Sequence, residues 1–165
     1  MIINNKFDPV LEINNLAISF KTNSGIVDAV KGINFKLFKS EILAIIGESG
    51  SGKSVSAEAI MGILNIPPGF IKSGKIFIDN IDVLELSILK RRKLMGNKIA
   101  IIFQDTLSHL NPVFSVGWQI AECFRVHQLT EFNEAWEKAI KLMERVKIPN
   151  AAKRAKDFPH QFSGG

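Results

Sequence analysis

One short segment limits the folds open to this chain more than any other feature. Gly47–Ser54 matches the pattern Gly-x-x-x-x-Gly-Lys followed by Ser or Thr at every fixed position. It follows the uninterrupted apolar run Ile42–Ile46 and precedes a stretch that we predict to be a helix ending near Leu64. Because a phosphate-binding loop requires a strand before it and a helix after it, these surroundings favour such a loop over a glycine-rich surface turn.

The residue types in this loop suit the oxygens of a nucleoside triphosphate. Glycines let the backbone wrap around an anion and direct N–H groups at it, and the following helix adds its positive N-terminal end. Lys53 adds a full charge, and the Ser54 hydroxyl is a hard oxygen donor of the kind that Mg2+ prefers. The predicted nucleotide-binding residues are Gly47, Glu48, Ser49, Gly50, Ser51, Gly52, Lys53, Ser54 and Val55, with Ser54 also on the metal.

Composition predicts an ordinary globular protein. The 165 residues are 46% hydrophobic and 22% charged, which suits one domain with a sizeable core. No apolar run approaches the roughly 18 residues that a transmembrane helix needs, and the N-terminus lacks the pattern of a signal peptide. The single cysteine, Cys123, excludes an intrachain disulfide, and its place in a predicted helix indicates a packed thiol. These exclusions predict a cytoplasmic protein.

The net charge of +5 comes largely from Lys90–Lys93 and from the segment between 138 and 156. Nucleic-acid binding is one interpretation of such basic character. No aromatic stacking platform or helix-turn-helix pattern accompanies the charge, so we expect no nucleic-acid partner. The other interpretation is a solvated helix face, favouring an anionic membrane surface or the nucleotide itself.

Hydrophobic patterning changes along the chain from a β-rich first part to an α-rich last third. Alternating apolar residues predict antiparallel strands over Leu11–Phe20, with a bulge at Asn14–Asn15, and over Val27–Leu37. The uninterrupted runs Ile42–Ile46 and Ile99–Phe103 instead predict central strands of a parallel sheet, buried on both faces.

Helical signals follow these strands. Ser87 is predicted to cap a basic helix that Gly96 ends. Two amphipathic helices are predicted in the last third from residues that recur at helical spacing: Val116, Ile120 and Phe124 in one, and Trp136, Ile140, Met143 and Val146 in the other.

Two further segments narrow the choice among proteins with such a loop. Ile101–Val113 contains Phe-Gln-Asp followed by Leu-Asn-Pro, and Phe158–Gly165 reads Phe-Pro-His-Gln-Phe-Ser-Gly-Gly. With the loop, they resemble ABC-type ATPases, most closely the ATP-binding subunits of oligopeptide and dipeptide importers, from Leu11 onward. The resemblance implies an α/β fold: a P-loop NTPase core of the ABC-ATPase type (residues 1–104), with an antiparallel β part and a parallel sheet, and a helical subdomain (residues 105–165).

The resemblance also implies roles for residues outside the loop. Phe20 occupies the place of the aromatic residue that stacks on adenine, although a core aromatic is an equal alternative. Gln104 matches the glutamine that reaches the Mg2+ and the attacking water and senses the transmembrane partner, and a plain polar residue after a buried strand is the alternative. Ser163, Gly164 and Gly165 match the signature that contacts the γ-phosphate on a second ATP-binding subunit, with Phe162 in place of the usual leucine. Thr106 stands where these importers often have proline.

The implied activity is ATP hydrolysis with Mg2+, coupled to peptide transport. The implied partners are ATP, a second ATP-binding subunit in a homo- or heterodimer, membrane-embedded permease subunits and, indirectly, an extracytoplasmic peptide-binding protein. The implied location is the inner face of the cell membrane, where the subunit is peripheral.

The family pattern continues beyond the signature, with further strands, an Asp-Glu pair and a histidine, and this sequence has no counterpart to them. We therefore expect a chain with the C-terminal strands missing, without the catalytic glutamate, and with little ATP hydrolysis on its own. A catalytically dead nucleotide-binding remnant and a soluble ABC ATPase outside transport are the alternatives.

Overall fold

The computed structural model describes residues 8–104 and 109–162. The chain divides into two compact units, Met1–Met95 and Gly96–Gly165. This boundary precedes residue 104, where the sequence pattern changes. The roles of the two parts as a nucleotide-binding core and a helical subdomain remain predictions. Thr106 and the predicted signature residues, Ser163–Gly165, lie outside the described residues.

The described part of the first unit is built on an antiparallel sheet. The elements are β1 (Leu11–Thr22), β2 (Gly25–Leu37), α1 (Lys53–Met61), β3 (Gly69–Ile78), β4 (Ile81–Asp82) and α2 (Ile88–Leu94). The strands lie in the order β2-β1-β3-β4 in the sheet, and helices follow β2 and β4 in the chain. The sheet confirms the antiparallel start predicted from alternation.

The predicted bulge in β1 is confirmed, and it explains which side chains are buried. The register between β1 and β2 shifts between Ile13 and Leu16, and Asn15 adopts a positive φ of 47°. Side chains alternate between the faces of a strand, so Ile13 and Leu16 would point to opposite faces of a regular strand. The extra residue brings both into the core, where they are 1% and 0% exposed.

The prediction of two central parallel strands is wrong. Neither Ile42–Ile46 nor Ile99–Phe103 forms a β-strand, and Ile42 and Ile46 are 97% and 93% exposed. An apolar run becomes a strand only when neighbouring strands accept and donate its backbone hydrogen bonds. Within the described ranges, the strands that form belong to the antiparallel sheet, and neither run pairs with them.

Helix α1 also ends earlier than the sequence predicts. Its last residue is Met61 rather than Leu64, because Gly62 takes up a left-handed conformation with φ of 70°. The N–H of Gly62 then donates to the carbonyl oxygen of Ala59 at 3.2 Å. Glycine is the residue that adopts this helix-ending conformation without a steric cost.

The described part of the second unit is helical. Its elements are α3 (Val116–Gln128), α4 (Phe132–Arg145), α5 (Ala151–Arg154) and a 3-10 turn (Pro159–Gln161). Small residues let α3 and α4 approach closely: Ala121, Ala135 and Ala139 are fully buried, with Ile120, Phe124 and Trp136 packed around them. A second cluster includes Val116 and Met143. The two predicted amphipathic helices are therefore confirmed.

Two residues of these helices differ from the expectation. Val146 is 63% exposed because it follows the last residue of α4. Cys123 is exposed rather than packed, and its thiol donates to the carbonyl oxygen of Gln119 at 3.6 Å. No helix in the described residues is long and apolar enough to cross a membrane.

Candidate functional site

Two glycines give the loop between Ile46 and α1 its shape. Gly50 and Gly52 have φ values of 80° and 88°, in the left-handed region that side chains with a Cβ disfavour. Gly52 is also the N-terminal cap of α1, which has no side-chain cap. The chain therefore turns directly from the loop into the helix, as the motif predicts.

The end of the loop lies against β2. A Cβ on Gly52 would meet the carbonyl oxygen of Ala29 at 2.5 Å and Cγ2 of Val30 at 3.0 Å. The first turn of α1 also binds Gly52. The backbone N–H and the hydroxyl of Ser56 both donate to the carbonyl oxygen of Gly52, at 2.9 and 2.8 Å. The start of α1 is thereby fixed relative to the sheet.

The N-terminal end of α1 is suited to an anion. The N–H groups of Lys53, Ser54 and Val55 lie in its first turn, where a helix provides no acceptor for them. No acidic side chain lies in that turn, so the positive end of the helix dipole is not neutralised there.

The ammonium group of Lys53 is held by the loop itself. Its Nζ donates to the carbonyl oxygens of Gly47 and Glu48, both at 2.6 Å, and to Oγ of Ser51 at 3.2 Å. All three ammonium donors are satisfied in this way. The loop thus holds a positive charge at its own backbone, and a phosphate bound there would take over some of these contacts.

A cavity of about 650 Å³ lies between this loop and β2, within the size range of small-molecule sites. Five of the predicted binding residues line it together: Gly47, Gly50, Ser51, Gly52 and Lys53. The apolar segment from Leu43 to Ile46 forms part of the wall, and the opposite wall comes from Asp28, Ala29, Val30 and Lys31 of β2 and from residues that follow them in that strand.

Asp28 is the acidic group of this wall. The fully buried Ser19 donates its hydroxyl to Oδ1 of Asp28 at 2.7 Å, and Nζ of Lys72 lies 3.3 Å from the same oxygen. The hydrogen bond from Ser19, followed by the contact with Lys72, lowers the pKa of Asp28 below its usual value. Asp28 is therefore an anion already paired within the sheet.

The remaining predicted residues that the structure describes do not line the cavity, although Glu48 and Ser49 belong to the loop and Ser54 and Val55 to the first turn of α1. Glu48, Ser49 and Ser54 are exposed. Phe20, near the end of β1, does not line the cavity; its ring lies against Gly69, where a Cβ would be 3.0 Å from Cε1. Gln104 is exposed and belongs to the second unit.

The role of Ser54 as a metal ligand also stays a prediction. Within the described residues, no group of three or more histidine, cysteine and acidic side chains could hold a metal ion. A Mg2+ ion at this loop would depend on the Ser54 hydroxyl and on oxygens of the nucleotide, which is a set of hard donors that the ion accepts.

The sequence interpretation missed the contribution of β2. The motif identifies the loop, but not the strand that lies beside it, because that depends on how the sheet pairs. The one local signal was Asp28, the single acidic residue of the segment Gly25–Leu37. Such a residue in a strand often marks a polar contact rather than a core position.

Comparison with known proteins agrees with this geometry. The family described as "ABC transporter" matches residues 30–165. The chain is 47% identical over 156 residues to the oligopeptide transport ATP-binding protein OppD of Bacillus subtilis, covering 94% of this chain and 44% of that protein. It is 40% identical over 158 residues to the dipeptide transport ATP-binding protein DppD of the same species, covering 96% and 47%.

A further relative supports the same family, and solved structures show the same fold. A putative peptide import ATP-binding protein of Brucella abortus is 39% identical over 165 residues, covering 100% of this chain and 49% of that protein. The chain thus spans about half the length of these relatives. The dimeric structure of MJ0796, a bacterial ABC transporter cassette, has a TM-score of 0.79 at 23% identity, over 93% of this chain and 63% of that one. A post-hydrolysis dimer of the same cassette, bound to ADP and Pi, has a TM-score of 0.77 at 22% identity, with the same coverage.

Proposed function

The chain belongs to the ABC transporter family, and on that premise we propose that it is an ATP-binding subunit of an ABC importer for peptides. In this role it binds ATP at the loop Gly47–Ser54 and couples ATP binding and hydrolysis to transport. The similarity to OppD and DppD, whose names specify oligopeptide and dipeptide transport, supports peptides as the transported class.

The observation that carries the proposal is the position of Lys53. Its ammonium group and the free N–H groups at the start of α1 belong to one loop, and that loop lines the cavity beside β2. A triphosphate needs both a full positive charge and several backbone donors, since its charge is spread over many oxygens. The charge of Lys53 and the backbone donors at the start of α1 lie next to each other in this loop.

Specific residues take distinct roles in this proposal. The backbone from Gly47 to Gly52 surrounds the phosphates, Lys53 neutralises them, and Val55 continues the first turn of α1. The exposed hydroxyl of Ser54 is suited to Mg2+, which would neutralise charge between the phosphates, and Gln104 is proposed as its second protein ligand and as the group that orients water. Phe20 is proposed to stack on adenine.

Membership of the ABC transporter family supports the proposed partners. We propose a second ATP-binding subunit, whose nucleotide is completed by Ser163, Gly164 and Gly165 of this chain. Membrane-embedded permease subunits bind the pair at the inner face of the cell membrane, and a peptide-binding protein outside the membrane supplies the substrate indirectly.

Nucleotide affinity tests the proposal. We expect the chain to bind a fluorescent ATP analogue with Mg2+, and Lys53→Ala to weaken that binding at least tenfold, since a charge-assisted contact to phosphate is lost. Lys141→Ala, which removes an exposed lysine of α4, is the control with the same change of charge. Equal affinity in the parent chain and both variants, or no binding by the parent chain, would contradict ATP binding at this loop.

Transport is tested separately in cells. In a full-length peptide importer subunit, the segment that matches this chain is replaced by this chain. The hybrid subunit should support uptake of a labelled dipeptide or oligopeptide, and Lys53→Ala should abolish that uptake. If the hybrid subunit binds ATP but supports no peptide uptake, the result would count against peptides as the transported class and leave the nucleotide site intact.

A further inference from the structure

The short helix α2 presents aliphatic and basic side chains together on the surface. Ser87 caps the helix by accepting a hydrogen bond from the N–H of Lys90 at 3.4 Å, as predicted from the sequence. Ile88 and Leu89 follow directly and are 72% and 73% exposed. Two large aliphatic side chains thus lie next to each other on one exposed turn of helix, where they can contribute to a contact surface.

The orientation of α2 is set by the residue on its opposite side. Arg91 is half-buried, and its Nη2 donates to the carbonyl oxygen of Ala59 at 2.6 Å, at the end of α1. At 3.6 residues per turn, Ile88, Arg92, Leu89 and Lys93 follow one another over an arc of roughly 140° around the helix, and Arg91 lies outside this arc. The outward face of α2 is therefore Ile88, Leu89, Arg92 and Lys93, all of which are exposed.

Among the described residues, no carboxylate neutralises the exposed cations of α2. No described residue forms an ion pair with Lys90, Arg92 or Lys93. The acidic residues that precede the helix, Asp82 and Glu85, lie 3.7 and 3.8 Å from Nζ of Lys75 instead. The face thus carries an excess of positive charge around two aliphatic side chains.

We propose that this outward face of α2 binds directly to the headgroup region of an anionic lipid bilayer. Ile88 and Leu89 enter the boundary between headgroups and acyl chains, while Arg92 and Lys93 contact lipid phosphates. A bilayer accepts two protruding aliphatic side chains without a preformed pocket, whereas an acidic protein surface would need a pocket shaped for them. The proposal does not depend on ATP binding or on peptide transport.

Vesicle flotation tests this contact with the chain as it is. We expect the chain to float with vesicles of phosphatidylcholine and phosphatidylglycerol, and not with vesicles of phosphatidylcholine alone. Arg92→Gln together with Lys93→Gln should lower the partition coefficient roughly 25-fold, about fivefold for each cation. Ile88→Gln together with Leu89→Gln keeps the charge and should also weaken binding, because the aliphatic insertion is lost.

The matched control is Lys141→Gln together with Lys153→Gln, which lowers the net charge by the same amount on exposed residues of the second unit. This control should bind anionic vesicles like the parent chain, and circular dichroism melting should show that all variants stay folded. Should a variant of α2 fail to fold, the parent chain still tests the electrostatic part, since added salt should release it from the vesicles.

Three results would overturn the proposal. Equal losses in the α2 double variant and in the control would show that only the net charge matters. Unchanged binding of the Ile88 and Leu89 variant would exclude insertion of this face. Absence of any binding to anionic vesicles would leave an acidic protein surface as the partner of α2 and exclude the lipid contact.

Discussion

Gly52 lies so close to Ala29 that a Cβ on the glycine would be 2.5 Å from the carbonyl oxygen of the alanine. This contact joins the phosphate-binding loop to β2 and fixes the start of α1. A backbone carbonyl in a sheet cannot move aside as a flexible side chain can. The site therefore depends on β2, a strand that lies earlier in the sequence and outside the loop motif.

The first prediction concerns this contact. Gly52→Ala should lower the free energy of unfolding by at least about 1–3 kcal/mol, which is the usual cost of a non-glycine residue in a strained backbone conformation. The loss should exceed that cost because the clash with Ala29 adds to the strain at φ of 88°. It should also weaken ATP binding. Urea denaturation and nucleotide titration measure the two effects.

Gly50→Ala is the matched control for that prediction. Gly50 has a similar φ of 80°, but a Cβ there would meet no atom within 4 Å. Its effect on unfolding should be limited to the conformational strain. Equal destabilisation by the two substitutions would show that the approach of β2 does not matter.

The second prediction concerns Arg91, which links α2 to the carboxyl end of α1. Burial lowers the pKa of its guanidinium, the charge of Asp82 acts in the opposite direction, and Nε has no hydrogen-bond partner among the described residues. Arg91→Met should lower the free energy of unfolding by about 1.5–3 kcal/mol, since it removes a charged donor from a helix-end carbonyl.

Arg92→Met provides the comparison in the same helix. Arg92 is exposed, so its substitution should change the free energy of unfolding by less than about 0.5 kcal/mol. Chemical denaturation of both variants separates the two roles. A loss at Arg92 as large as at Arg91 would indicate that α2 as a whole, rather than the bond to Ala59, sets the stability.

The third prediction concerns the pH dependence of stability. The hydrogen bond from Ser19 and the contact with Lys72 lower the pKa of Asp28 in the folded chain. A carboxyl group with a lowered folded pKa stabilises the fold above its unfolded pKa, near 4 for aspartate, and that stabilisation is lost as the pH falls through the folded value. The fold should therefore weaken in acid partly through Asp28.

Denaturation midpoints measured from neutral to acidic pH test this sign. Asp28→Asn should be less stable than the parent at neutral pH and should lose less stability on acidification. Some acid sensitivity should persist, because the hydrogen bond with Lys36 also lowers the pKa of Glu12. Identical pH profiles for the variant and the parent would contradict the role of Asp28.

The fourth prediction concerns the helical unit. Ala139 is fully buried between α3 and α4, so Ala139→Leu should force the helices apart and destabilise the unit by about 1–3 kcal/mol. Asn133→Leu, at an exposed position of α4, should leave the stability nearly unchanged. Hydrogen exchange of the amides in α3 and α4 would localise the effect, and equal exchange in both variants would exclude close packing at Ala139.

Local signals in the sequence were sufficient for several features. The cap at Ser87, the bulge at Asn14–Asn15 and the turn from the loop into α1 were all predicted, and the structure has them. Each depends on residues within a few positions of one another. A side-chain cap, an extra residue in an alternating pattern and a glycine at positive φ act through short-range geometry.

Features that depend on distant segments were not predicted. Ile42–Ile46 and Ile99–Phe103 have the composition of buried strands, yet neither forms one. The composition of a run states which side chains it would bury, but hydrogen-bonding neighbours decide whether a strand exists. The exposure of Cys123 was missed for a related reason, because helical spacing alone does not say how far a packed face extends.

The sequence by itself determined the chemistry available to this protein: a loop whose residue types suit triphosphate oxygens, within a pattern typical of ABC ATPases. Only the tertiary structure decided that β2 forms the wall beside that loop, that Gly52 approaches Ala29, and that Arg91 turns the cations of α2 outward. The physical reason is range. Backbone conformation and charge type depend on neighbouring residues, whereas contacts between segments far apart in the chain depend on how the whole unit packs.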